Sequence, residues 1–305
     1  MGEPSYLALF RSGELEKRAE LALSMLDGCR VCPRVCGVNR IGGEKGYCGV
    51  GRNPVISSYG PHFGEEAPLV GRRGSGTIFF SGCNLGCRFC QNWDISQRIE
   101  GAEMGAEELA DVMVEVQGMG CHNLNLVSPS HVVPQILEAL VIACSKGLRI
   151  PIVYNTGGYD SLEVLGLLDG IVDIYMPDMK YSDPEVGERL SMVKDYPMVN
   201  FDAVREMNGQ VGPLLLDKDG VAVRGLLVRH LVLPNGLAGT RRIVKFLAEE
   251  ISLDTYLNIM FQYRPEFQAM DCEGMDRKPT RDEYREALRF AAGAGLHRFD
   301  GLKRS

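Results

Sequence analysis

Six short runs of apolar, largely β-branched residues recur along the chain, separated by amphipathic segments. These runs predict strands at 76–81, 124–128, 152–155, 172–176, 226–233 and 256–262. Most of them are nearly continuous in apolar residues, which is typical of strands covered on both faces of a sheet. We therefore expect the strands to pair in parallel.

The segments between the strands have the spacing of helices. Segment 106–117 carries an apolar stripe, 132–144 is apolar enough for a buried helix, and 280–292 opens with Thr280 and Glu283 in capping-box spacing. A further helix is expected after Pro184, and a hairpin turn is expected at 218–220. Strands that alternate with helices predict a parallel α/β fold, either a barrel or an open doubly wound sheet.

The chain before the first of these strands does not show the alternation of apolar runs and amphipathic segments. A helix is expected near 13–25, and a stretch rich in Cys, Gly and Arg follows it. Because this stretch has little apolar periodicity, we expect something other than a hydrophobic core to hold it together. The sequence thus predicts an N-terminal helix and Cys-rich extension at 1–74 and a main α/β domain at 75–305.

The net charge and the cysteine content limit which binding partners and which cellular compartment we expect. The 305 residues include 33 Lys and Arg against 40 Asp and Glu, a net charge of −7, which argues against broad binding to nucleic acid or anionic lipid. The most apolar stretch, 132–144, is too short to span a bilayer, so no membrane partner is expected. The N-terminus lacks the features of a secretory signal, so we expect a cytoplasmic protein whose ten cysteines are reduced.

Three cysteines form the strongest motif of the chain. Cys83, Cys87 and Cys90 follow the first predicted parallel strand in Cys-x3-Cys-x2-Cys spacing. A tetrahedral zinc site needs a fourth ligand, whereas three thiolates suit a 4Fe-4S cluster with one iron left open. The alternatives are three buried core cysteines, or a zinc site completed from elsewhere in the chain.

A second set of cysteines lies in the N-terminal segment. Cys29, Cys32, Cys36 and Cys48 supply four thiols where little apolar core is expected. Four ligands complete a tetrahedron, so a structural zinc ion is sufficient to fix the segment. A second iron–sulfur cluster that serves electron delivery is also compatible.

The cysteine loop resembles the fingerprint of the radical S-adenosylmethionine superfamily, Cys-x3-Cys-x-aromatic-Cys, with Phe89 as the aromatic residue. A narrower resemblance to the pyruvate formate-lyase activating enzyme branch rests on the cysteine pattern at 29–40, the run His62-Phe63-Gly64-Glu65-Glu66, and Gly74-Ser75-Gly76. The resemblance implies a partial (β/α)6 barrel of parallel strands, here with an N-terminal Cys-rich metal-binding extension.

The same resemblance implies a function. S-adenosylmethionine would bind the open iron, and one electron from a reductant such as flavodoxin or ferredoxin would release a 5′-deoxyadenosyl radical. That radical would abstract hydrogen from a protein or peptide substrate, as in an activase of glycyl radical enzymes. Two alternatives remain: radical modification of another protein side chain or a small molecule, and a non-catalytic iron–sulfur electron carrier or scaffold.

In a parallel α/β fold the ligand-binding residues gather at the carboxyl ends of the strands. The candidates for cofactor binding are Phe89, Ser128, Ser130, Asn155, Asp178, Lys180 and Arg229. Residues 128–131 stand where the superfamily often has a Gly-Gly-Glu motif contacting the methionine amino group, and that motif is absent here.

Some of these candidates also have a structural interpretation. Phe89 suits a core aromatic as well as a cofactor contact, and Ser130 suits a cap of the following helix. Asp178 and Lys180 match an Asp-x-Lys pattern of the activating enzymes, with a solvated ion pair as the alternative. Because side chains alternate along a strand, Arg229 and its neighbour His230 point to opposite faces, and we expect Arg229 to face the site.

Four further residues are expected to be structural or exposed. Glu65 and Glu66 are interpreted as a solvated turn, although two adjacent carboxylates also suit a lid or a cation site. Cys144 lies on an apolar helix face and is expected in the core. Cys272 lies in a polar segment and is expected to be an exposed thiol, with the hydrogen donor of a radical enzyme as the alternative.

Overall fold

The computed structural model describes residues 3–300, in which ten strands form one sheet. The strands are β1 Val55–His62, β2 Ser75–Phe80, β3 Ala102–Glu103, β4 Leu124–Val127, β5 Ile152–Thr156, β6 Ile174–Pro177, β7 Leu215–Leu216, β8 Ala222–Leu231, β9 Tyr256–Met260 and β10 Phe299–Asp300. The six predicted strands correspond to β2, β4, β5, β6, β8 and β9, and all five pairings between them are parallel. The prediction of a parallel sheet is therefore confirmed.

The parallel strands lie side by side in the order in which they occur along the chain. Right-handed crossovers in that order place their helices on one face of the sheet, whereas a doubly wound sheet needs a reversal of strand order. The order excludes the doubly wound alternative and is consistent with a partial barrel. Two antiparallel strands extend one edge, β1 beside β2 and β3 beside β1.

Eleven α-helices accompany the sheet within the described range. They are α1 Tyr6–Ser12, α2 Glu14–Ser24, α3 Ala67–Val70, α4 Trp93–Gln97, α5 Ala106–Gly118, α6 Val133–Ser145, α7 Leu162–Leu168, α8 Pro184–Ser191, α9 Tyr196–Val211, α10 Thr240–Phe246 and α11 Arg281–Gly293. The helix predicted after Pro184 is α8, and the predicted hairpin joins β7 to β8. From residue 3 to residue 300, no helix combines the length and apolarity needed to cross a membrane.

The N-terminal segment is integrated with the sheet more closely than its sequence suggests. Helix α2 packs against α6, and Leu15 and Leu26 lie in the same hydrophobic cluster as residues of the central strands. Val31 and Val50, from the Cys-rich stretch, belong to this cluster too. Two apolar residues of the stretch thus reach the core, whereas Val35 is 64% exposed, and the expectation that something other than a core holds the stretch together stays a prediction. The boundary at residue 74 stays a prediction.

Candidate active site

A cavity of about 440 Å³ lies where the parallel strands end. Its wall includes all three cysteines of the loop after β2, Cys83, Cys87 and Cys90. It also includes every predicted cofactor-binding residue: Phe89, Ser128, Ser130, Asn155, Asp178, Lys180 and Arg229. The structure thus brings together residues that are up to 146 positions apart in the chain, from Cys83 to Arg229.

Two of the three thiols lie at short distances from serine hydroxyl groups. The Cys87 Sγ lies 2.9 Å from the Ser191 Oγ, and the Cys90 Sγ lies 3.2 Å from the Ser96 Oγ. Burial raises the pKa of the Cys83 thiol to about 12 and also raises the pKa of Cys87. Without a metal these two thiols are protonated at neutral pH, so a metal that binds them must displace their protons.

The cysteine loop is anchored against the N-terminal segment. Gly82 has φ +81°, and a Cβ at this position would lie 2.5 Å from the Cys48 carbonyl oxygen, so glycine is required there. One residue beyond Cys83, the Asn84 carbonyl accepts a hydrogen bond from the Arg34 Nε at 2.9 Å. The position of the loop therefore depends on residues that precede the parallel sheet.

A buried ion-pair cluster lines part of the same cavity. The Asp178 carboxylate lies 2.6 Å from the Lys180 Nζ and 2.9 Å from the Arg229 Nε, and all three side chains are less than a fifth exposed. Burial alone would raise the pKa of Asp178, but the two cations lower it below its ordinary value. The alternative of a solvated ion pair is therefore wrong.

The alternation predicted for the fifth parallel strand is observed. Arg229 reaches the cavity and donates from Nη2 to the Asn155 Oδ1 at 2.8 Å. His230 is buried on the other face, where its ring nitrogens lie 2.7 Å from the Met179 carbonyl and 2.8 Å from the Thr240 Oγ1. Arg229 is the residue of this pair that faces the site.

The loop after β4 is shaped by strain and by a buried hydrogen-bond network. Ser128 adopts φ +59°, a left-handed conformation that is unusual for a non-glycine residue. The Ser130 Oγ lies 2.9 Å from the Thr156 Oγ1, which in turn donates to the buried Asp160 at 2.7 Å. Because α6 begins only at Val133 and receives no side-chain cap, the interpretation of Ser130 as a helix cap is wrong.

Phe89 has both a core contact and a cavity contact. It is buried, and its ring centroid lies 5.9 Å from that of Tyr263 and 6.3 Å from that of Tyr181, both in edge-to-face geometry. It also lines the cavity beside the cysteines. Both interpretations made from the sequence are compatible with this position.

Sequence reasoning missed two carboxylates of the cavity. The side chains of Glu65 and Glu66 are only 9% and 5% exposed, and both lie within 4 Å of the Arg229 Nη1. The expected solvated turn is therefore wrong. The His62-to-Glu66 run was noted in the sequence as part of the family resemblance. The position of this run beside the cavity depends on β1, a strand that the apolar pattern did not predict.

The remaining cysteines are all wholly or partly buried. Burial raises the pKa of Cys32 to about 12, and neighbouring thiols of Cys48, Cys29 and Cys36 contribute to the increase, so the four N-terminal thiols lie in one neighbourhood. In the chain from 3 to 300, however, no group of three or more His, Cys, Asp or Glu side chains is arranged to hold a metal ion.

Among the isolated cysteines, one expectation is confirmed and one is wrong. Cys144 lies in the main hydrophobic cluster, as expected. Cys272 is only 5% exposed and packs in the apolar cluster around the cysteine loop, so it is not an exposed thiol.

Comparison with known proteins identifies the family. Residues 77–209, which include the cysteine loop and the Asp178–Lys180 pair, match the model of the Radical SAM superfamily. The chain is 35% identical over 285 residues to the uncharacterized protein MJ0674 of Methanocaldococcus jannaschii, which covers 91% of this chain and 78% of that protein. It is 25% identical over 269 residues to MJ0808 of the same organism, covering 80% and 72% of the two chains.

Two solved structures are similar at a lower level. A radical SAM methyltransferase from Sphaerobacter thermophilus aligns with a TM-score of 0.46 and 14% identity, over 75% of this chain and 68% of the methyltransferase. SuiB of Streptococcus suis, bound to S-adenosylmethionine, aligns with a TM-score of 0.48 and 12% identity, over 72% of this chain and 48% of SuiB. On the family model and the relative of 35% identity, the chain belongs to the radical SAM superfamily.

Proposed function

We propose that this protein reductively cleaves S-adenosylmethionine at a 4Fe-4S cluster and abstracts hydrogen from a protein or peptide substrate. The observation that carries the proposal is the convergence of three thiols and a buried Asp–Lys–Arg cluster on one cavity. Membership of the superfamily itself implies cleavage of S-adenosylmethionine by radical chemistry.

The residues present fit the cluster and the cofactor. Cys83, Cys87 and Cys90 are the only thiols among the residues described as lining the cavity, so a cubane held by them keeps one iron open. When bound, this cluster supplies the electron that cleaves S-adenosylmethionine into methionine and the 5′-deoxyadenosyl radical that abstracts hydrogen.

The side chains of the protein orient the cofactor and exclude water. Arg229 presents a guanidinium to the cavity and is suited to a cofactor carboxylate, while Asp178 fixes its orientation through the Nε. Ser128, Ser130 and Asn155 offer polar groups at the adjoining strand ends. Phe89 adds an apolar wall beside the cysteines, which helps to keep the site dry.

The surroundings of the cavity support a protein or peptide as substrate. Phe261 and Phe267 are 40% and 39% exposed, and they follow β9, whose last residue Met260 lines the cavity. Phe267 stacks on Trp93 at 5.4 Å, next to the cavity residues Gln91 and Asn92. Exposed aromatic residues beside a cavity are typical of surfaces that bind polypeptides.

A cleavage assay tests the catalytic part of the proposal. The protein is reconstituted with iron and sulfide under anaerobic conditions and reduced, and 5′-deoxyadenosine formed from S-adenosylmethionine is measured. Cys87→Ala is expected to lose both the cluster and the product, and Cys144→Ala, a core substitution away from the cavity, is expected to keep both. A fully loaded protein that forms no 5′-deoxyadenosine would support the electron-carrier alternative.

A second assay tests the substrate class. If a candidate glycyl radical enzyme is the substrate, its incubation with the reduced protein and S-adenosylmethionine should produce an organic radical doublet in the electron paramagnetic resonance spectrum. Cleavage that is stimulated only by a small molecule would contradict a polypeptide substrate. Flavodoxin and ferredoxin, tried separately as reductants, identify the class of electron donor.

We also propose that Cys29, Cys32, Cys36 and Cys48 bind a second metal, as zinc or as a second iron–sulfur cluster. Their neighbour Arg40 is fully buried, and its guanidinium donates to the Gly51 and His131 carbonyls and approaches the Cys29 Sγ at 3.8 Å. No carboxylate of residues 3–300 is among these partners, and the Arg40 Nη2 has none. A metal-bound set of thiolates would supply the missing negative charge.

Metal analysis after anaerobic purification separates the alternatives. About one zinc together with about four irons per chain supports a structural zinc, and about eight irons without zinc supports a second cluster. Cys48→Ala should lower whichever metal is present, whereas Cys144→Ala should not. About four irons and no zinc would show that the N-terminal thiols are free.

A further inference from the structure

A chain of two hydroxyl groups leads from the protein interior to the middle cysteine of the loop after β2. The Cys87 Sγ lies 2.9 Å from the Ser191 Oγ, which in turn lies 2.9 Å from the Tyr181 hydroxyl oxygen. Ser191 and Tyr181 are fully buried, and Cys87 is 8% exposed. The proposed chemistry uses neither hydroxyl, so these buried polar groups beside a thiol of the site need an explanation of their own.

The backbone fixes Ser191 next to Cys87. Ser191 is the last residue of α8, and its carbonyl accepts a hydrogen bond from the Gly86 N–H at 3.2 Å. The preceding carbonyl, that of Leu190, accepts from the Arg88 N–H at 2.9 Å. The carboxyl end of α8 thus binds the cysteine loop on both sides of Cys87. The short distance between thiol and hydroxyl therefore depends on the fold and not only on two side-chain rotamers.

The protons of this chain of groups can be assigned. A hydroxyl carries one proton and also accepts, whereas a thiolate only accepts. Cys87 loses its proton when it binds a metal, so Ser191 becomes the donor and the Cys87 Sγ the acceptor. The Tyr181 phenol is protonated at neutral pH and donates to the Ser191 Oγ. In this arrangement every donor and every acceptor of the chain of groups is paired.

The other two cysteines of the loop have longer contacts. The Cys90 Sγ lies 3.2 Å from the hydroxyl of Ser96, a partly exposed residue. The Cys83 Sγ accepts from the Leu85 N–H at 3.4 Å. Hydrogen bonds are electrostatically stronger in a buried environment of low polarity. The hydroxyl beside Cys87 is therefore expected to have the largest effect on a cluster held by this loop.

We infer that Ser191 raises the reduction potential of the cluster by donating a hydrogen bond to the Cys87 thiolate, and that Tyr181 orients the Ser191 hydroxyl. The inference rests on the proposed function, because it needs a 4Fe-4S cluster on the three thiols. One electron from the reductant adds one negative charge to the cluster, and no bond forms or breaks. A donor at a ligand sulfur stabilises this reduced form more than the oxidised form. Both are positioning residues, since neither lines the cavity.

A redox titration of the reconstituted protein tests the inference. Electron paramagnetic resonance measures the fraction of reduced cluster at each solution potential, and the signal that Cys87→Ala lacks identifies this cluster. Ser191→Ala should lower the ratio of reduced to oxidised cluster at a given potential roughly threefold to tenfold, where tenfold equals about 59 mV for one electron. Ser182→Ala removes another buried hydroxyl, which donates to the Gly239 carbonyl, and should leave the ratio unchanged.

Tyr181→Phe is a second variant, and it removes only the phenol oxygen. Ser191 keeps its hydroxyl but loses the group that orients it, so the ratio should fall in the same direction and by less. The double variant should match Ser191→Ala alone, because Tyr181 acts through Ser191. Tyr263→Phe, which removes a hydroxyl of the same apolar cluster that donates to the Met275 carbonyl, should behave like the unmodified protein.

An unchanged potential in a Ser191→Ala protein that carries the cluster overturns the inference, and so do effects of the two substitutions that simply add. If Ser191→Ala does not retain the cluster, Tyr181→Phe decides, since an unchanged potential there overturns the inference as well. Should neither variant retain it, the unmodified protein is reconstituted in D2O. Its iron–sulfur stretching bands in the resonance Raman spectrum should shift, and identical bands in H2O and D2O overturn the inference.

The failure of the inference can be told apart from the failure of the proposed function. A protein that takes up no 4Fe-4S cluster contradicts both. The expected changes in potential without formation of 5′-deoxyadenosine contradict the proposed function alone. Unchanged potentials together with normal formation of 5′-deoxyadenosine contradict the inference alone.

Discussion

At the scale of single residues, Asp178 organises the charged wall of the cavity. Its two carboxylate oxygens contact different cations, Oδ2 with Lys180 and Oδ1 with Arg229. The orientation of the Arg229 guanidinium is fixed from both sides, because it also donates to Asn155. The geometry of the wall thus depends on one carboxylate.

Replacing Asp178 with asparagine should destabilise the protein and weaken cofactor binding. Two buried cations would lose their closest carboxylate, which is expected to lower the free energy of unfolding by about 3–5 kcal/mol. Urea denaturation of the apoprotein measures the change. Asp282→Asn, which breaks a pair that is almost fully exposed, should have an effect of less than about 0.5 kcal/mol. Equal effects of the two substitutions would contradict the role given to Asp178.

Gly82→Ala tests whether the packing of the cysteine loop on the N-terminal segment sets its position. Alanine at φ +81° with a Cβ 2.5 Å from the Cys48 carbonyl requires the backbone to move, with an expected loss of about 1–3 kcal/mol of stability and a lower iron content after reconstitution. Gly51→Ala should retain both the stability and the iron content, because the new methyl group meets no atom within 4 Å and φ is not positive. Iron retention by the Gly82 variant would contradict this role.

Residues at strand ends could be predicted from the sequence, because apolar periodicity shows where parallel strands stop and the architecture brings those ends together. Alternation predicts that only one of Arg229 and His230 faces the cavity, and the resemblance to a family arginine near the cofactor carboxylate selects Arg229. Glu65 and Glu66 could not be found in this way, because the two glutamates reach the cavity through β1.

At the scale of elements, α11 shows how much local sequence determines. The predicted capping box is present: the Thr280 Oγ1 accepts from the Glu283 N–H at 3.2 Å, and the Glu283 Oε2 accepts from the Thr280 N–H at 2.6 Å. Other elements lack such signals. β1 contains Ser58, Gly60 and Pro61 and owes its existence to pairing with β2, which is why the apolar pattern missed it.

The cap of α11 predicts a stability that depends on pH. Hydrogen bonds from Arg277, and from the backbone N–H groups of Thr280 and Asn235, lower the pKa of Glu283 to about 2. A carboxyl whose pKa is lower in the folded state stabilises the protein above its unfolded pKa, and this contribution is lost as the pH falls toward the folded value.

Glu283→Gln is therefore expected to lower the free energy of unfolding by about 1–2 kcal/mol at pH 7. The difference from the unmodified protein should shrink as the pH falls from about 4.5 toward 2. Urea denaturation at several pH values measures it. Glu286→Gln, an exposed residue of the same helix, serves as the control, and a difference that stays constant down to pH 2 would contradict the assignment.

At the scale of the whole molecule, the hydrophobic cluster joins the N-terminal helices to the sheet. Leu15→Ala, in a fully buried position on α2, should lower the free energy of unfolding by about 2–5 kcal/mol. Leu21→Ala, exposed on the same helix, should change it little. Differential scanning calorimetry distinguishes a core shared by the N-terminal helices and the sheet from two separately folded domains. One shared transition that shifts indicates a common core, whereas a main transition unaffected by Leu15→Ala would support the predicted domain boundary at residue 74.

The chain-order sheet also sets the sequence of events during synthesis on the ribosome. Each parallel strand can dock beside the one made just before it, so most contacts form between segments that emerge one after the other. The cysteine loop leaves the ribosome early, but Arg229 and Asn258 belong to β8 and β9, which are made much later. The nascent chain therefore displays the three thiols of this loop well before the charged wall exists, and iron that reached them before β8 and β9 dock would meet an incomplete site.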